Sequence, residues 1–384
     1  MKIAFMLLHD FRFAGWSLGD FFRRSHFSKE YSRRLAERGH EVILYMLHQE
    51  VESLKEFERD GYRVKVFPVQ FDFPPFLKFG NSHSLKITRE LSQDEPDIVH
   101  FNNYYLWSFP YVAKWAMQNS VRIVCQYHGA GDILQSAKRA FIPILQGVDR
   151  YLVAKDSEIE YLTGGLGVPR QKVLKFPNVG VDPSVFRPSG ERTREPSLIY
   201  VGRMSPMVQN LGEKSPWLVL DTMAVLLKSL PEATLHMVGD GPCLQCLRKV
   251  AEAKGIGRSV TFHGYVANDL VPPFYSRSWA TFIPLQLDAI DPYWEGSLKE
   301  SLACATPVVG FNQGVKDYGG GCQRLGHLIP PDPAAGGKML CEILGDRARL
   351  DEAGRRGRAE VLRCCTWDLV IGGLEKVYSS LAQP

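Results

Sequence analysis

The residue types best suited to chemistry in this chain crowd into positions 294–310. Glu295, Gly296, Ser297 and Glu300 stand in an acidic loop and helix start, followed by Thr306-Pro307 and the apolar Val308-Val309-Gly310. A helix beginning there presents unpaired backbone N–H groups and a positive dipole end, a natural seat for a phosphate. Glu300, one turn inside, can accept hydrogen bonds from the vicinal hydroxyls of a sugar. The same letters also spell a capping box, with Ser297 as N-cap and Glu300 at the third helical position. A purely structural reading of the segment therefore stays open. Arg203, after a strand-like run and Gly202, belongs at the carboxyl end of a strand, where a guanidinium can clamp a diphosphate. His128, in Gln126-Tyr127-His128-Gly129-Ala130-Gly131-Asp132, has glycines beside it that let the backbone approach a ligand closely. The structural alternatives are a surface arginine and a packed histidine.

Groups of this kind need rigid elements behind them, and the chain supplies a repeated strand-then-helix pattern. β-rich runs occur at 2–8, 41–46, 63–69, 97–101, 122–127, 150–154 and 172–176, with helical periods between them at 27–38 and 83–91. Turn formers then dominate from Pro177 to Gly190, which reads as a linker. A second series has strands at 197–201, 233–238, 259–262, 280–284 and 307–310, alternating with helices near 217–230, 242–254, 298–304 and 333–343. A last helix covers 366–381. Such alternation predicts an α/β protein with parallel sheets built twice. The 384 residues suit two domains, with 45% apolar and 23% charged residues as in an ordinary globular protein. A net charge of +4 gives no ground for a nucleic-acid partner, and no apolar run reaches the ~20 residues of a membrane span. The eight cysteines sit mostly in apolar company, so reduced thiols and a cytoplasmic setting are expected; Cys243-Leu-Gln-Cys246 lacks a partner pair for zinc.

Landmarks of one family appear in order along nearly the whole chain. They are Arg38-Gly39-His40-Glu41-Val42, Pro96-Asp97-Ile98-Val99-His100, Pro177-Asn-Val-Gly-Val-Asp182, Val201-Gly202-Arg203, Val238-Gly239-Asp240-Gly241-Pro242, Phe262-His263-Gly264-Tyr265-Val266 and Trp367. With Thr306-Pro307-Val308-Val309 they resemble the retaining nucleotide-sugar glycosyltransferases of family 4, which have the GT-B fold. The family's Glu–x7–Glu pair is shortened here to Glu295 and Glu300, with Pro292 at the usual first position.

The resemblance implies two facing Rossmann-like domains with the active site in the cleft between them. Residues 1–183 would form the acceptor-side domain, with the C-terminal helix 366–384 packed back on it, and residues 184–365 the donor-side domain. A nucleoside-diphosphate sugar would be the donor, and a small molecule, glycan or lipid-linked molecule the acceptor. By this reading Glu300 holds the ribose, and Glu295 or failing it Asp291 the transferred sugar. Backbone amides of Gly296, Ser297 and Leu298 lie near the phosphates, together with Gly15, Gly129 and Gly202. Arg203 opposes leaving-group charge beside a lysine; the family's lysine position is Val208, and a short insertion would make Lys214 its equivalent. His128 faces the transferred sugar, and Asp132 is a weaker acceptor contact. No Asp-x-Asp occurs in the chain, so neither a metal nor another cofactor is expected. Basic residues Arg23, Arg24, Lys29, Arg33, Arg34 and Arg38, with the aromatic loop 71–80, suit a peripheral membrane contact; a solvated helix face is the alternative. A nucleotide-sugar epimerase, or a binding protein with a decayed sugar site, are the competing functions.

Overall fold

The computed structural model describes residues 1–73, 75, 80–128, 141–204, 216–287, 293, 296–312 and 325–382. The chain divides into two compact units, one of Met1–Asn178 with Asp368–Pro384, the other Val179–Trp367.

The first unit is built on an eight-stranded sheet. Its strands are β1 (Lys2–Leu7), β2 (Glu41–His48), β3 (Lys55–Arg59), β4 (Tyr62–Pro68), β7 (Ile98–Asn102), β8 (Arg122–Gln126), β9 (Arg150–Val153) and β10 (Val173–Lys175); β5 (Phe71–Asp72) and β6 (Ser82–His83) form a separate hairpin. The order is β10-β9-β8-β7-β1-β2-β4-β3, parallel throughout except for β3 against β4. Strands β1, β2 and β7 are near-continuous apolar runs, because helices cover both faces of such a sheet and bury almost every residue. The β3–β4 hairpin, absent from the expected pattern, turns at Asp60 and Gly61, both at positive φ (46° and 82°). That dipeptide suits a two-residue hairpin turn whose twist matches its strands. The final helix Trp367–Ala382 contributes to this unit. Tyr378 hydroxyl lies 2.6 Å from His100 Nδ1, and Glu375 takes Arg38 at 2.8 Å and His40 at 3.1 Å.

The second unit has six parallel strands, β11 (Ser197–Val201), β12 (Thr234–Val238), β13 (Val260–Gly264), β14 (Ala280–Leu287), β15 (Val308–Asn312) and β16 (Gly326–Ile329). Their order is β13-β12-β11-β14-β15-β16, so the winding reverses between β11 and β14. The helix Arg347–Cys364 is a further element beyond the expected pattern. Its buried stripe runs from Leu350 to Val361 through the small residues Ala353, Gly354 and Gly357. A Cβ on Gly354 would stand 2.0 Å from the Ala305 carbonyl oxygen, and one on Gly357 2.4 Å from Leu302. These glycines let the helix close tightly on the helix Gly296–Ala303, which carries Glu300. Both units are thus the doubly wound α/β layers that the alternating pattern predicts.

Candidate functional site

In open α/β sheets, ligands bind beyond the carboxyl ends of the strands, where the strand order reverses. In the second unit that point lies between β11 and β14. Arg203 follows β11 on a loop fixed by its backbone: Gly202 N–H donates to Val238 O (3.0 Å), Met204 N–H to Asp240 O (2.7 Å) and Cys243 N–H to Met204 O (3.0 Å). The hydroxyl of buried Tyr200 donates to Arg203 O at 2.9 Å. Gly239 and Gly241 make the lacing possible. At φ 129° and 146°, a Cβ on either would stand 2.0 and 2.3 Å from the carbonyl oxygens of Gly202 and Met204. The Gly239-Asp240-Gly241 turn therefore does more than end one strand and start a helix; it clasps the arginine loop.

On the other side of the switch point, the helix Gly296–Ala303 carries Gly296, Ser297, Leu298 and Glu300. Ser297 and Leu298 are buried. The described part of this helix begins at Gly296. Glu300 is turned sideways. Its Oε1 accepts from Asn268 Nδ2 and its Oε2 from the Tyr275 hydroxyl, each at 3.0 Å. Behind it, Ser301 Oγ lies 2.6 Å from Thr281 Oγ1 and donates to Thr306 O at 2.8 Å. Arg358 donates to Ala303 O, and Arg192 Nη2 to Ala305 O at 2.8 Å, satisfying carbonyls that a helix end leaves open. Lys214, Glu295, Asp291, Gly129 and Asp132 lie outside the described residues.

The first unit reverses its winding between β1 and β7. Beyond β7, Asn103 adopts φ 69°; its amide donates to Gln126 O at 2.8 Å, and its Oδ1 accepts the backbone N–H of His128 at 2.8 Å. The His128 imidazole stacks on Phe27, with centroids 4.0 Å apart and planes inclined by 15°. After β1, Phe11 packs against Trp16, Phe21, His26 and His48. Gly15 ends a short 3-10 helix at φ 64° with open space where a Cβ would be. The loop's Arg12 is consumed internally: it forks onto Asp72 at 2.7 and 2.9 Å and reaches Asp10 at 2.7 Å, while Ser82 Oγ bonds both carboxylates. Burial pushes the Asp10 carboxyl up, but hydrogen bonds from Arg12 and Ser82 prevail and hold it below the usual range. The Arg12 bond likewise lowers Asp72, against a smaller effect of burial.

The basic stretch differs from a free cationic face. It forms two helices, Leu18–Arg23 and Phe27–Glu37, whose arginines meet carboxylates: Arg23 and Arg24 on Asp20, Arg33 on Glu30 and Glu37, and Arg34 on Glu30. Arg38 pairs with Glu375 and Asp368. Phe71 and Phe73 are exposed at the neighbouring hairpin. Among the described residues no helix is long and apolar enough to cross a membrane, and no group of His, Cys, Asp and Glu could hold a metal ion. Cys304 is buried, with its thiol pushed up to about 12 by burial and by Glu300.

Sequence reasoning missed Asn103, Phe27, Asn268, Tyr275 and the Asp10–Arg12–Asp72 cluster. Only the Asn-Asn pair that ends β7, where a short polar side chain tolerates left-handed backbone at Asn103, left a local signal.

The sequence model of Glycosyltransferase Family 4 matches residues 26–185, and that of Glycosyl transferases group 1 matches residues 195–346. The GDP-mannose-dependent alpha-(1-6)-phosphatidylinositol monomannoside mannosyltransferase of Mycobacterium tuberculosis (strain ATCC 25618 / H37Rv) is 29% identical over 211 residues, covering 52% of this chain and 54% of that protein. Sulfoquinovosyl transferase SQD2 of Arabidopsis thaliana is 25% identical over 308 residues, covering 74% and 56%. The chain thus spans about half the length of these curated relatives. Among solved structures, sucrose-phosphate synthase from Thermosynechococcus elongatus superposes with a TM-score of 0.69 at 17% identity over 99% of both chains. Anabaena HepE in complex with UDP-glucose gives 0.68 at 16% identity, over 99% of this chain and 100% of that one. These likenesses show the fold; the two sequence models, one on each unit, show the family. The chain belongs to glycosyltransferase family 4 and has the GT-B fold.

Proposed function

We propose that this chain is a retaining glycosyltransferase that moves a sugar from a nucleoside-diphosphate sugar to an acceptor hydroxyl without a metal ion. One observation carries the reading: in the second unit a clasped arginine loop follows β11, and a glutamate with both carboxylate oxygens hydrogen-bonded stands on the helix between β14 and β15. In this proposal Arg203, with Lys214, opposes the charge that grows on the departing diphosphate, as preorganised cations do in a site that need not rearrange. Amides of Gly296, Ser297 and Leu298 seat a phosphate. Glu300 accepts the ribose hydroxyls, and Glu295 or Asp291 the transferred sugar. Gly15, His128 and Gly129 are the first unit's contribution to substrate binding. Attack on the face the nucleotide leaves, with the leaving phosphate taking the acceptor's proton, needs no protein nucleophile; orientation and electrostatics supply the rate. The relatives support the reaction class, being named as mannosyl and sulfoquinovosyl transferases, and the HepE structure contains UDP-glucose.

The test is a panel of uridine and guanosine diphosphate sugars, assayed with alcohol, glycan and lipid-linked acceptors in buffer with a chelator. The expected result is a glycoside with the donor's anomeric configuration, formed as fast with chelator as with magnesium. Inverted product would contradict the mechanism. Free epimer instead of glycoside would contradict the activity. Loss of turnover on chelation with recovery on added manganese would contradict metal independence.

A further inference from the structure

The first unit carries an exposed face that the proposed reaction does not use. It is formed by the β5–β6 hairpin and the helices Lys86–Asp94 and Phe109–Gln118, which side chains tie to one another. The Tyr111 hydroxyl donates to Leu85 O at 3.2 Å and lies 2.6 Å from Thr88 Oγ1, and Trp115 Nε1 donates to Ser92 Oγ at 3.0 Å. Gln70 Oε1 accepts the Leu85 N–H at 2.7 Å, and Phe73 meets Trp107 edge-on with centroids 6.2 Å apart. On this support Phe73 and Leu85 are each 56% exposed, Phe71 43% and Tyr111 38%. Exposed apolar residues scattered singly need no explanation, but these stand on contiguous, mutually bonded elements and form a patch.

Cations frame the patch. Lys86 follows Leu85, Arg89 stands one turn further along the same helix, and Lys114 lies one turn beyond Tyr111. All three are exposed, and none meets a carboxylate among the described residues. The helix Phe109–Gln118 has no acidic residue, and Glu90 and Asp94 of the other helix hold Lys65 at 2.8 and 2.7 Å. The arginines of residues 23–38, the expected basic face, are by contrast matched by carboxylates.

We propose that this face of the first unit lies against an anionic lipid bilayer. Phenylalanine and leucine enter the boundary between headgroups and acyl chains, tyrosine sits at headgroup level, and lysine and arginine reach anionic headgroups on long stems. The charge chooses the occupant. Cations with no carboxylate among them repel a second copy of the same face and attract a negatively charged sheet. The proposal concerns binding alone, and it stands or falls independently of the reaction proposed above.

Vesicle co-sedimentation at low salt tests it, with phosphatidylcholine alone and with an equimolar mixture of phosphatidylcholine and phosphatidylglycerol. The protein should sediment with the mixed vesicles and not with the neutral ones. It should be released at about 1 M salt, where charge reaches only about 3 Å. One cation near an anionic surface is worth roughly fivefold in binding, so Lys86→Gln/Arg89→Gln/Lys114→Gln should bind roughly hundredfold more weakly. Phe73→Ser/Leu85→Ser should weaken binding about tenfold through lost apolar burial. Both variants change exposed side chains and should melt near wild type. Arg33→Gln/Arg34→Gln should leave vesicle binding nearly unchanged. Full binding by either of the first two variants, an equal loss in the arginine control, or equal binding to neutral vesicles would overturn the proposal. A wild-type dimer that Phe73→Ser/Leu85→Ser converts to monomer, with no vesicle binding, would overturn it in favour of an interface between copies.

Discussion

The two units share a doubly wound parallel core and furnish their switch points differently. In the second, backbone holds the loop of Arg203, which Gly239 and Gly241 clasp, while the side chains of Asn268 and Tyr275 meet Glu300 on a helix closed on by Gly354 and Gly357. In the first, side chains do the holding. Arg12 is matched by Asp10 and Asp72, the β1 loop is filled with aromatic rings, and His128 stacks on Phe27. Arg12 is met by carboxylates of its own unit, whereas the loop of Arg203 is placed by main-chain bonds. The comparison sharpens the proposed reading, in which charge chemistry belongs to the second unit and shape and stacking to the first.

The largest effect that could break this contrast is on Arg203. Arg203→Ala should lower kcat by roughly 10²–10³, the usual consequence of removing one transition-state donor, while melting temperature stays near wild type. Steady-state kinetics beside thermal unfolding checks both halves. A normal rate would show that the clasped loop is scaffolding.

The next effect concerns the first unit alone and is read by pH. His100 is fully buried between Phe5 and Tyr378, and burial lowers its folded pKa to about 3. Its unfolded pKa is near 6.5, so below that value the unfolded chain binds a proton the folded chain refuses. Stability attributable to neutral His100 is therefore complete above pH 7 and lost as pH falls, by about 2 kcal/mol at pH 5. Urea unfolding at pH 7 and pH 5 should show a smaller loss in His100→Gln than in wild type. An identical loss would show that His100 gains its proton without unfolding.

A smaller effect sharpens the comparison directly. Arg12→Ala should destabilise by about 1–2 kcal/mol, since Asp10 is left buried beside Asp72 with no cation, discounted for the partial exposure of Arg12. Nucleotide affinity should not change. Denaturant unfolding with calorimetric titration separates this from the Arg203 outcome, in which rate falls and stability holds.

How much of this was legible follows from what each feature depends on. Strands β1, β2 and β7 showed in the sequence because burial on both faces writes an unbroken apolar run. The helix Arg347–Cys364 did not, because its contact face uses Ala353, Gly354 and Gly357, and glycine inside a helical pattern reads as a loop. The β3–β4 hairpin had its signal in Asp60-Gly61, passed over amid charged residues. Arg203 and Glu300 are proposed from strand ends and motif order, which the sequence does carry. Asn268, Tyr275 and the Arg12 cluster could not: their meaning lies in side chains brought together from distant positions, and no local period encodes that.

The central claim is that Glu300 is a ligand for the nucleotide, beyond its place in a well-packed helix. Calorimetric titration of Glu300→Gln and Glu295→Gln with the free nucleoside diphosphate and with its sugar conjugate tests it most directly. Glu300→Gln should weaken both ligands, and Glu295→Gln the nucleotide sugar alone. Glutamine keeps the size of Glu300 but removes its charge and half of its acceptor capacity. Unchanged affinity of Glu300→Gln for the free nucleotide would contradict the account and leave the segment a structural support.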